Sequence, residues 1–312
     1  MTRESFVILS GSANRPLAEA ICDALGQPLG RSRTERFPDG EIGIEIDESV
    51  RGRHVFIVQP TSPPVNDNVV ELVALADACR RASAGRVTAV IPYFGYGRGD
   101  RRKNRRVPIM ARAVADMLEV SGVNQVAALD LHSAQVEGFF RIPVETLTAI
   151  PTLAGALQPQ RGRDPVIVGP DLGAAERATT LGEKLGCSVA VLAKRRLSGR
   201  EVEIRSVIGQ VEGRRCVIID DMVSTGGTIL KAAEALREAG ALPEMTVVAT
   251  HALFNENTVG RFRAAGITET IVTDTIENPA ARQPGVSRVS VAPLLAGAVA
   301  RLVASESLKD LL

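Results

Sequence analysis

Two neighbouring acids and a hydroxyl-rich glycine loop are the residues of this chain best suited to chemistry. Asp220 and Asp221 stand together, and residues 224–228 read Ser-Thr-Gly-Gly-Thr. In a strand-to-helix turn the backbone N–H groups favour an anion, and Gly226 and Gly227 would let the backbone approach a phosphate closely. Paired carboxylates can accept hydrogen bonds from two adjacent sugar hydroxyls. We therefore predict a ribose 5-phosphate site. Its members are Asp220, Asp221, Ser224, Thr225, Gly226, Gly227 and Thr228.

The residues on either side of this loop predict the elements that position it. Residues 217–219 (Val-Ile-Ile) form an apolar, β-branched run that is typical of a central parallel strand. Residues 230–238 have the pattern of an amphipathic helix, which Gly240 would close. An ordinary strand followed by a capped helix is the alternative, but the acid pair and the hydroxyl-rich loop together favour a binding site.

Composition restricts the class of protein. The chain has 312 residues, 45% of them hydrophobic, and 37 Lys and Arg against 36 Asp and Glu. This length suits two domains of about 150 residues, and the balanced charge argues against a general nucleic-acid or membrane binder. No apolar run approaches transmembrane length, and no basic-then-apolar signal opens the chain, so we expect a cytoplasmic protein. The scattered cysteines, which form no CxxC pair, are expected to be buried thiols. They are Cys22, Cys79, Cys187 and Cys216.

The chain repeats itself. Residues 6–26 resemble residues 166–186 at an offset of 160, and each segment has the pattern of a strand, a small-residue turn and a helix that ends in Leu-Gly. Residues 122–130 resemble residues 266–274 at an offset of only 144, so the first half carries an insertion before residue 122. The repeat predicts an α/β fold of two duplicated domains, each with a mainly parallel central sheet flanked by helices.

We place the domain boundary near Pro151. The N-terminal domain would comprise residues 1–150 and the C-terminal domain residues 151–312, with the last helix free to pack back on the first domain. We expect the nucleotide side of the protein in the first domain and ribose 5-phosphate in the second.

The two halves differ where function has divided. In place of the acid pair and glycine loop, the first half has residues 59–68, whose prolines remove backbone donors that a phosphate would need. Its insertion contains a basic run, residues 98–106, which on composition alone is more often a solvated surface. Residues 93–97 (Tyr-Phe-Gly-Tyr-Gly) precede that run and would offer aromatic surface beside positive charge, which suits a purine triphosphate.

Seven motifs in order resemble those of the ribose-phosphate diphosphokinases, also called phosphoribosyl pyrophosphate synthetases. They are residues 37–41, 63–68, 91–96, 130–132, 170–171, 194–196 and 220–228. The set spans nearly the whole chain and is more specific than the ribose phosphate loop alone, which phosphoribosyltransferases share. The resemblance implies two phosphoribosyltransferase-like domains and a homo-oligomer, a hexamer by family likeness, with no nucleic-acid or membrane partner.

The activity that the resemblance implies is transfer of the diphosphoryl group of ATP to the 1-hydroxyl of ribose 5-phosphate. The products would be 5-phosphoribosyl 1-diphosphate and AMP, and the cofactor Mg²⁺. Two alternatives remain: a catalytically weak regulatory subunit of the same family, and a phosphoribosyltransferase. The retained motifs argue against the first, and the duplicated first half argues against the second.

The resemblance also implies roles for individual residues. Lys194 and Arg196 would be catalytic, on a loop that closes over the diphosphoryl group, and residues 197–200 are expected to be mobile. His132 and Asp171 would hold Mg²⁺. Seven residues would bind ATP: Phe37, Asp39, Glu41, Arg98, Asp100, His132 and Arg177.

Three positions depart from the family pattern. Gly99 stands where the family usually has Gln, which puts one hydrogen bond to adenine in doubt. Ala174 replaces a frequent Gly and is tolerable unless the backbone there needs a positive φ. Ser224 replaces a frequent Asp, which removes a negative charge beside the 5-phosphate. Phosphate activation, ADP inhibition and the preferred nucleotide donor do not follow from these residues.

Overall fold

The computed structural model describes residues 6–102, 104–157, 164–196 and 202–311, with the backbone alone for residues 194–196 and 202–205. These residues divide into two units. The first comprises the chain to Thr148 together with Thr275–Glu277 and Val291–Leu312, and the second comprises Ala149–Asp274 and Asn278–Ser290.

The elements alternate between strand and helix along most of the chain. The first stretch contains β1 (Phe6–Ser10), α1 (Arg15–Leu25), β2 (Ser32–Arg36), β3 (Ile42–Ile46), β4 (His54–Val58), α2 (Val65–Arg81), β5 (Arg86–Ile91), α3 (Met110–Ser121), β6 (Gln125–Leu129) and β7 (Val144–Leu147). The second contains α4 (Ile150–Leu157), β8 (Val166–Gly169), α5 (Ala175–Leu185), β9 (Ser188–Arg196), β10 (Val202–Ile208), β11 (Cys216–Val223), α6 (Gly227–Glu238), β12 (Met245–Ala252), α7 (Glu256–Ala264), β13 (Ile267–Thr273) and β14 (Val286–Val289). Helix α8 (Ala292–Ala304) then belongs to the first unit.

The two sheets repeat one strand order. The first unit has five parallel strands in the order β1-β4-β5-β6-β7. In the second, β8-β11-β12-β13-β14 repeats that order, and β9 extends the sheet beyond β8 with β10 antiparallel at its edge. Strands β2 and β3 form a separate antiparallel hairpin. The predicted duplicated α/β fold is confirmed.

Local sequence explains why corresponding elements begin and end alike. All five residues of β4 are buried, as expected of a parallel strand with helices on both faces. Helix α1 begins after Asn14, whose Oδ1 accepts a hydrogen bond from the N–H of Leu17 at 3.3 Å. Helices α1 and α5 both end at a left-handed glycine, Gly26 with φ 62° and Gly186 with φ 67°. The repeated Leu-Gly of the sequence is therefore a repeated helix end.

The insertion in the first half lies between β5 and α3. It spans residues 92–109, whereas residues 253–255 alone connect the corresponding β12 and α7. In the first unit α8 packs against α1. Among the described residues, no helix is both long enough and apolar enough to cross a membrane.

Candidate active site

The acid pair lies within a strand rather than after it. Strand β11 continues through Asp220 and Asp221 to Val223, because β12 provides pairing partners along its whole length. Asp221 is 4% exposed and Asp220 is half-buried. The N–H of Asp221 donates to Oδ1 of Asp220 at 2.9 Å. The strand thus holds both carboxyl groups at its carboxyl end, which is the edge of an α/β sheet where ligands bind.

The pKa of the Asp220 carboxyl group lies well above its ordinary value. Burial is the largest cause of the raised pKa of Asp220. The charge of Asp221 and a hydrogen bond between the two side chains raise it further, and together these causes bring it to about 8. The guanidinium of Arg177, in the first turn of α5, opposes the rise. A ligand that brings hydroxyl donors or a cation to this pair will favour release of the proton.

The glycine loop turns the chain from β11 into α6. Gly226, with φ 73°, is the residue before the helix, so Gly227 and Thr228 are its first residues. The helix therefore begins at Gly227, three residues earlier than the pattern of the sequence predicts. Gly226 makes this start possible, because glycine adopts the left-handed conformation of the turn readily. The first N–H groups of an α-helix have no partner within it, and they point toward a ligand at the mouth of the loop.

Three hydroxyl groups surround that mouth. Thr225 and Thr228 are exposed and Ser224 is half-buried. Within the part of the chain that the structure describes, none of these hydroxyls has a hydrogen-bond partner. Because helix N–H groups and hydroxyls are the donors that a phosphate needs, the loop has the chemistry of an anion site.

The two loop glycines have different surroundings. A methyl group on Gly226 would lie 2.6 Å from Cε1 of Phe262 in α7, whereas one on Gly227 would have its nearest neighbour 3.7 Å away, at Oγ1 of Thr225. Gly226 is therefore required by packing and backbone conformation. Gly227 faces open space, which is where a ligand would approach.

Arg261 is a residue of this site that the sequence did not reveal. Its Nη1 donates to the carbonyl oxygen of Thr225 at 3.2 Å and so connects α7 to the glycine loop. Nothing in the local pattern separates it from Arg263, the other exposed arginine of α7, because the contact joins residues that are far apart in the chain.

The turn after β8 carries two further predicted residues. Asp171 is the residue before a short 3-10 helix, and its Oδ1 accepts from the N–H of Ala174 at 3.2 Å. Ala174 has φ −93°, so its alanine is tolerated here. Arg177 lies close enough to Asp220 to act on its pKa, so the structure brings this predicted residue to the acid pair.

Lys194 and Arg196 are described by their backbone only. They belong to β9 and pair with Ile204 and Val202 of β10. Their side chains and the predicted mobile segment, residues 197–200, lie outside the described residues, so their catalytic role remains a prediction.

In the first unit, three predicted nucleotide-binding residues lie at the tip of the β2–β3 hairpin. Phe37, 42% exposed, covers Gly43, where a methyl group would lie 3.1 Å from the phenyl ring. Oδ1 of Asp39 accepts from the N–H of Glu41 at 3.1 Å, and Gly40 closes the turn with φ 93°. The tip is thus a defined turn with exposed side chains.

The aromatic segment after β5 is mostly not a surface. Tyr93 and Phe94 are each 5% exposed, and Phe94 packs edge-on against Phe140 with ring centroids 6.0 Å apart. The expectation of an aromatic face there is wrong for both, because they complete the core at the end of the sheet. Tyr96 is half-buried, and its hydroxyl donates to Oδ1 of Asn66 in α2.

The remaining predicted residues of the first unit lie in the loops that follow β5 and β6. Asp100 accepts a hydrogen bond from Nε2 of Gln135, and a methyl group on Gly97 would lie 3.6 Å from Cβ of His132. Arg98 is exposed at the start of the basic run. His132 and Asp100 therefore border one loop cluster. A side chain on Gly99 would meet Cβ of Met110 and the carbonyl oxygen of Tyr96, each at 3.1 Å, so these neighbours would have to shift slightly.

The predicted metal ligands do not form a cluster among the described side chains. Within the side chains that the structure describes, no three His, Cys, Asp or Glu residues are arranged to hold a metal ion. His132 follows strand β6 of the first unit, and Asp171 follows strand β8 of the second.

Comparison with known proteins gives concordant matches along the chain. A family model of the N-terminal domain of ribose phosphate pyrophosphokinase matches residues 6–122, and a phosphoribosyl synthetase-associated domain matches residues 196–312. A ribose-phosphate pyrophosphokinase of Ralstonia nicotianae is 45% identical over 314 residues, covering 100% of this chain and 99% of that protein. One of Vibrio cholerae is 45% identical over 305 residues, covering 96% and 97%. The crystal structure of phosphoribosylpyrophosphate synthetase from Mycobacterium smegmatis gives a TM-score of 0.89 at 34% identity, covering 96% of this chain and 99% of that one.

Proposed function

This chain belongs to the ribose-phosphate pyrophosphokinase family, and we propose that its second unit binds ribose 5-phosphate while its first unit binds ATP. As a member of the family it transfers the diphosphoryl group of ATP to the 1-hydroxyl of ribose 5-phosphate, giving 5-phosphoribosyl 1-diphosphate and AMP. The single observation that carries the assignment of the sugar site is the combination at the end of β11, where the acid pair stands directly before a glycine loop and a helix mouth.

The sugar phosphate is held by two kinds of group. The N–H groups at the start of α6 and the hydroxyls of Ser224, Thr225 and Thr228 bind the 5-phosphate. Asp220 and Asp221 accept hydrogen bonds from the ring hydroxyls. This arrangement fixes the sugar at both ends, so that the 1-hydroxyl faces the diphosphoryl donor in one orientation.

The transfer itself needs charge neutralisation more than it needs a protein nucleophile. The 1-hydroxyl oxygen forms a bond to the β-phosphorus of ATP while the bond from that phosphorus to the oxygen shared with the α-phosphate breaks, and AMP leaves. Lys194 and Arg196 stabilise the negative charge that spreads over the phosphoryl oxygens. Arg177 adds a further cation beside the sugar site.

ATP is bound by side chains on the hairpin and around the loop cluster. Phe37 supplies an aromatic face for the base, and Asp39 and Glu41 supply acceptors beside it. Arg98, Asp100, His132 and Arg177 complete the proposed set of seven. By family likeness the protein forms a homo-oligomer, a hexamer. In that assembly the exposed hairpin tip of one subunit would contact the adenine bound to its neighbour. The cytoplasmic location expected from the sequence stays a prediction.

Mg²⁺ fits the donors that are present. This ion keeps several waters and binds through one or two carboxylates together with substrate phosphates. The carboxylate of Asp171 suits that mode, and likeness to the family adds the imidazole of His132. When bound, Mg²⁺ would neutralise phosphate charge on ATP.

The decisive test combines an assay with binding measurements. The protein is mixed with ATP, Mg²⁺ and ribose 5-phosphate, and formation of AMP and 5-phosphoribosyl 1-diphosphate is followed. A regulatory subunit would give little of either product, and a phosphoribosyltransferase would form no AMP.

Calorimetric titration then separates the two substrates. Asp220→Asn combined with Asp221→Asn should weaken ribose 5-phosphate by roughly 1–3 kcal/mol for each lost acceptor and leave ATP nearly unchanged. Glu238→Gln, at the exposed far end of α6, is the charge-matched control. Equal losses for both substrates would contradict the assignment of the acids to the sugar.

A further inference from the structure

Glu71 is a fully buried carboxylate in the middle of α2. It is 0% exposed and accepts four hydrogen bonds, two at each oxygen. Oε1 accepts from the N–H of Ser12 at 2.9 Å and from Oγ1 of Thr34 at 2.7 Å. Oε2 accepts from Oγ of Ser12 at 2.6 Å and from Nε2 of Gln59 at 2.9 Å. Its partners therefore come from the loop after β1, the end of β4 and the hairpin strand β2.

All four partners are neutral donors. A carboxylate is costly to bury unless hydrogen bonds replace its water, and these four bonds use both oxygens as acceptors. Such bonds to a charged group are worth more than bonds between neutral groups. Glu71 thus connects three segments. Each segment donates at least one hydrogen bond to this carboxylate.

The corresponding place in the second unit contains no such side chain. At the offset of the repeat, Gln59 corresponds to Asp220, and the loop at Ser12 to the turn at residue 172. Glu71 corresponds to Ala232, a buried alanine of α6. The first unit therefore supplies its own anion to a loop whose counterpart in the second unit lies beside the sugar site.

The hairpin depends on such connections. Strands β2 and β3 pair with each other and, among the described strands, with no strand of the five-stranded sheet. A two-stranded hairpin is marginal by itself. Ile44 and Ile46 pack against the core, and Arg36 forms an exposed ion pair with Asp67 at 2.8 Å. Exposed pairs stabilise little, so the bond from Thr34 to buried Glu71 is the strongest polar tie of the hairpin.

We propose that Glu71 is a positioning residue that fixes the β2–β3 hairpin, and with it the ATP-binding tip, to the loop after β1. The effect on catalysis rests on the proposed ATP role of the hairpin. The effect on the hairpin itself does not. Thr34 precedes Phe37 by three residues in the same strand and turn, so loss of its bond lets the tip move relative to the sheet.

Thr34→Val tests this connection alone, because valine keeps the shape of threonine and leaves the bonds from Ser12 and Gln59 to Glu71 in place. Amide hydrogen exchange of residues 32–46 should become about tenfold faster, equivalent to about 1.4 kcal/mol. KM for ATP should rise about three- to tenfold with kcat and KM for ribose 5-phosphate nearly unchanged. Unchanged exchange in the hairpin would overturn the proposal.

Three further variants separate the possible failures. Ser12→Ala removes a hydroxyl donor from the same carboxylate on the loop side but keeps the bond from the N–H of Ser12, so it should leave both hairpin exchange and KM for ATP as in the parent. Glu71→Gln should raise both, since an amide offers one oxygen in place of two. Phe37→Ala tests the tip directly. If Phe37→Ala leaves KM for ATP unchanged, the nucleotide role of the hairpin is wrong. If Phe37→Ala raises it and Thr34→Val does not, the positioning role is wrong.

Discussion

The two units share a strand order but use the loops at the ends of corresponding strands in opposite ways. At the end of β11, Asp220 leads into a glycine loop with open hydroxyls and a helix mouth. At the end of β4, Gln59 is 0% exposed, and its amide bonds to Glu71 and to the N–H of Ala13. The first unit satisfies its polar groups internally, and the second leaves them for a ligand. Duplication of a binding fold therefore does not preserve the binding site, because the first unit has Gln59 at the position of Asp220 and has Pro63 and Pro64 at the positions of Ser224 and Thr225.

The hairpins that follow α1 and α5 also differ. Strands β2 and β3 form a separate sheet whose tip is exposed, whereas β9 pairs with β8 and continues the seven-stranded sheet. The first arrangement suits a surface that contacts a nucleotide from outside. The second places charged residues in the last part of β9, toward the same edge of the sheet as the carboxyl end of β11, where the acid pair lies.

The largest effect is expected from the charged residues of β9. Lys194→Ala and Arg196→Ala should each lower kcat by about a hundredfold with little change in ribose 5-phosphate binding, because their charges are needed mainly in the transition state. Arg195→Ala removes a like charge from the same strand and should stay within about threefold of the parent. Steady-state kinetics decide the matter, and a higher KM with unchanged kcat would show that these residues bind substrate instead.

The two loop glycines give the next test. Gly226→Ala should lower the free energy of unfolding by about 1–3 kcal/mol, because its methyl group would collide with Phe262 in a left-handed turn. Gly227→Ala should leave stability nearly unchanged yet weaken ribose 5-phosphate by about tenfold, since its methyl group enters the open side of the loop. Denaturant unfolding and calorimetry measure the two effects. Similar stability losses in both variants would remove the distinction between a packing glycine and a ligand-facing one.

Protonation of the acid pair should distinguish the second unit from the first. Because the pKa of Asp220 is raised to about 8, the folded protein keeps a proton that the unfolded chain releases above its usual, lower pKa. Stability from this group therefore falls as pH rises through that window. Asp220→Asn should raise Tm relative to the ligand-free parent, more at about pH 9 than at about pH 5, by about 2–4 °C per kcal/mol. In the first unit, Gln59→Glu makes the reverse change, from an amide to a carboxyl group at the position that corresponds to Asp220. A pH-independent difference for Asp220→Asn would mean that Asp220 is ionised throughout.

The smallest effect concerns the connection from α7 to the glycine loop. Arg261→Ala should raise KM for ribose 5-phosphate about two- to threefold and change the free energy of unfolding by less than about 0.5 kcal/mol, since its bond to Thr225 lies at the surface. Arg263→Ala, whose guanidinium instead contacts the carbonyl of Pro284, should leave that KM unchanged. Equal effects of the two variants would place the cause in α7 as a whole.

The fold could be predicted from the sequence because the repeat consists of local sequence patterns. Apolar strand runs and Leu-Gly helix ends recur at a nearly constant offset, and each has a local physical cause. The acid pair and glycine loop were predictable for the same reason, since they are consecutive residues. The expected surface of Tyr93 and Phe94 was wrong because burial depends on what packs above a strand end. The contacts of Glu71 and Arg261 join segments far apart in sequence, so no local pattern announces them.

The assignment of α8 to the first unit affects how the protein can be made. The chain leaves the first unit at Thr148 and, apart from the short segment Thr275–Glu277, rejoins it at Val291. There α8 covers α1, and the carbonyl of Leu311 accepts from the N–H of Thr148 at 3.2 Å. During synthesis, the N-terminal half therefore emerges from the ribosome with one helix face uncovered until the last segment has been translated. A chain that ends before residue 291 lacks α8 and leaves that face of α1 uncovered.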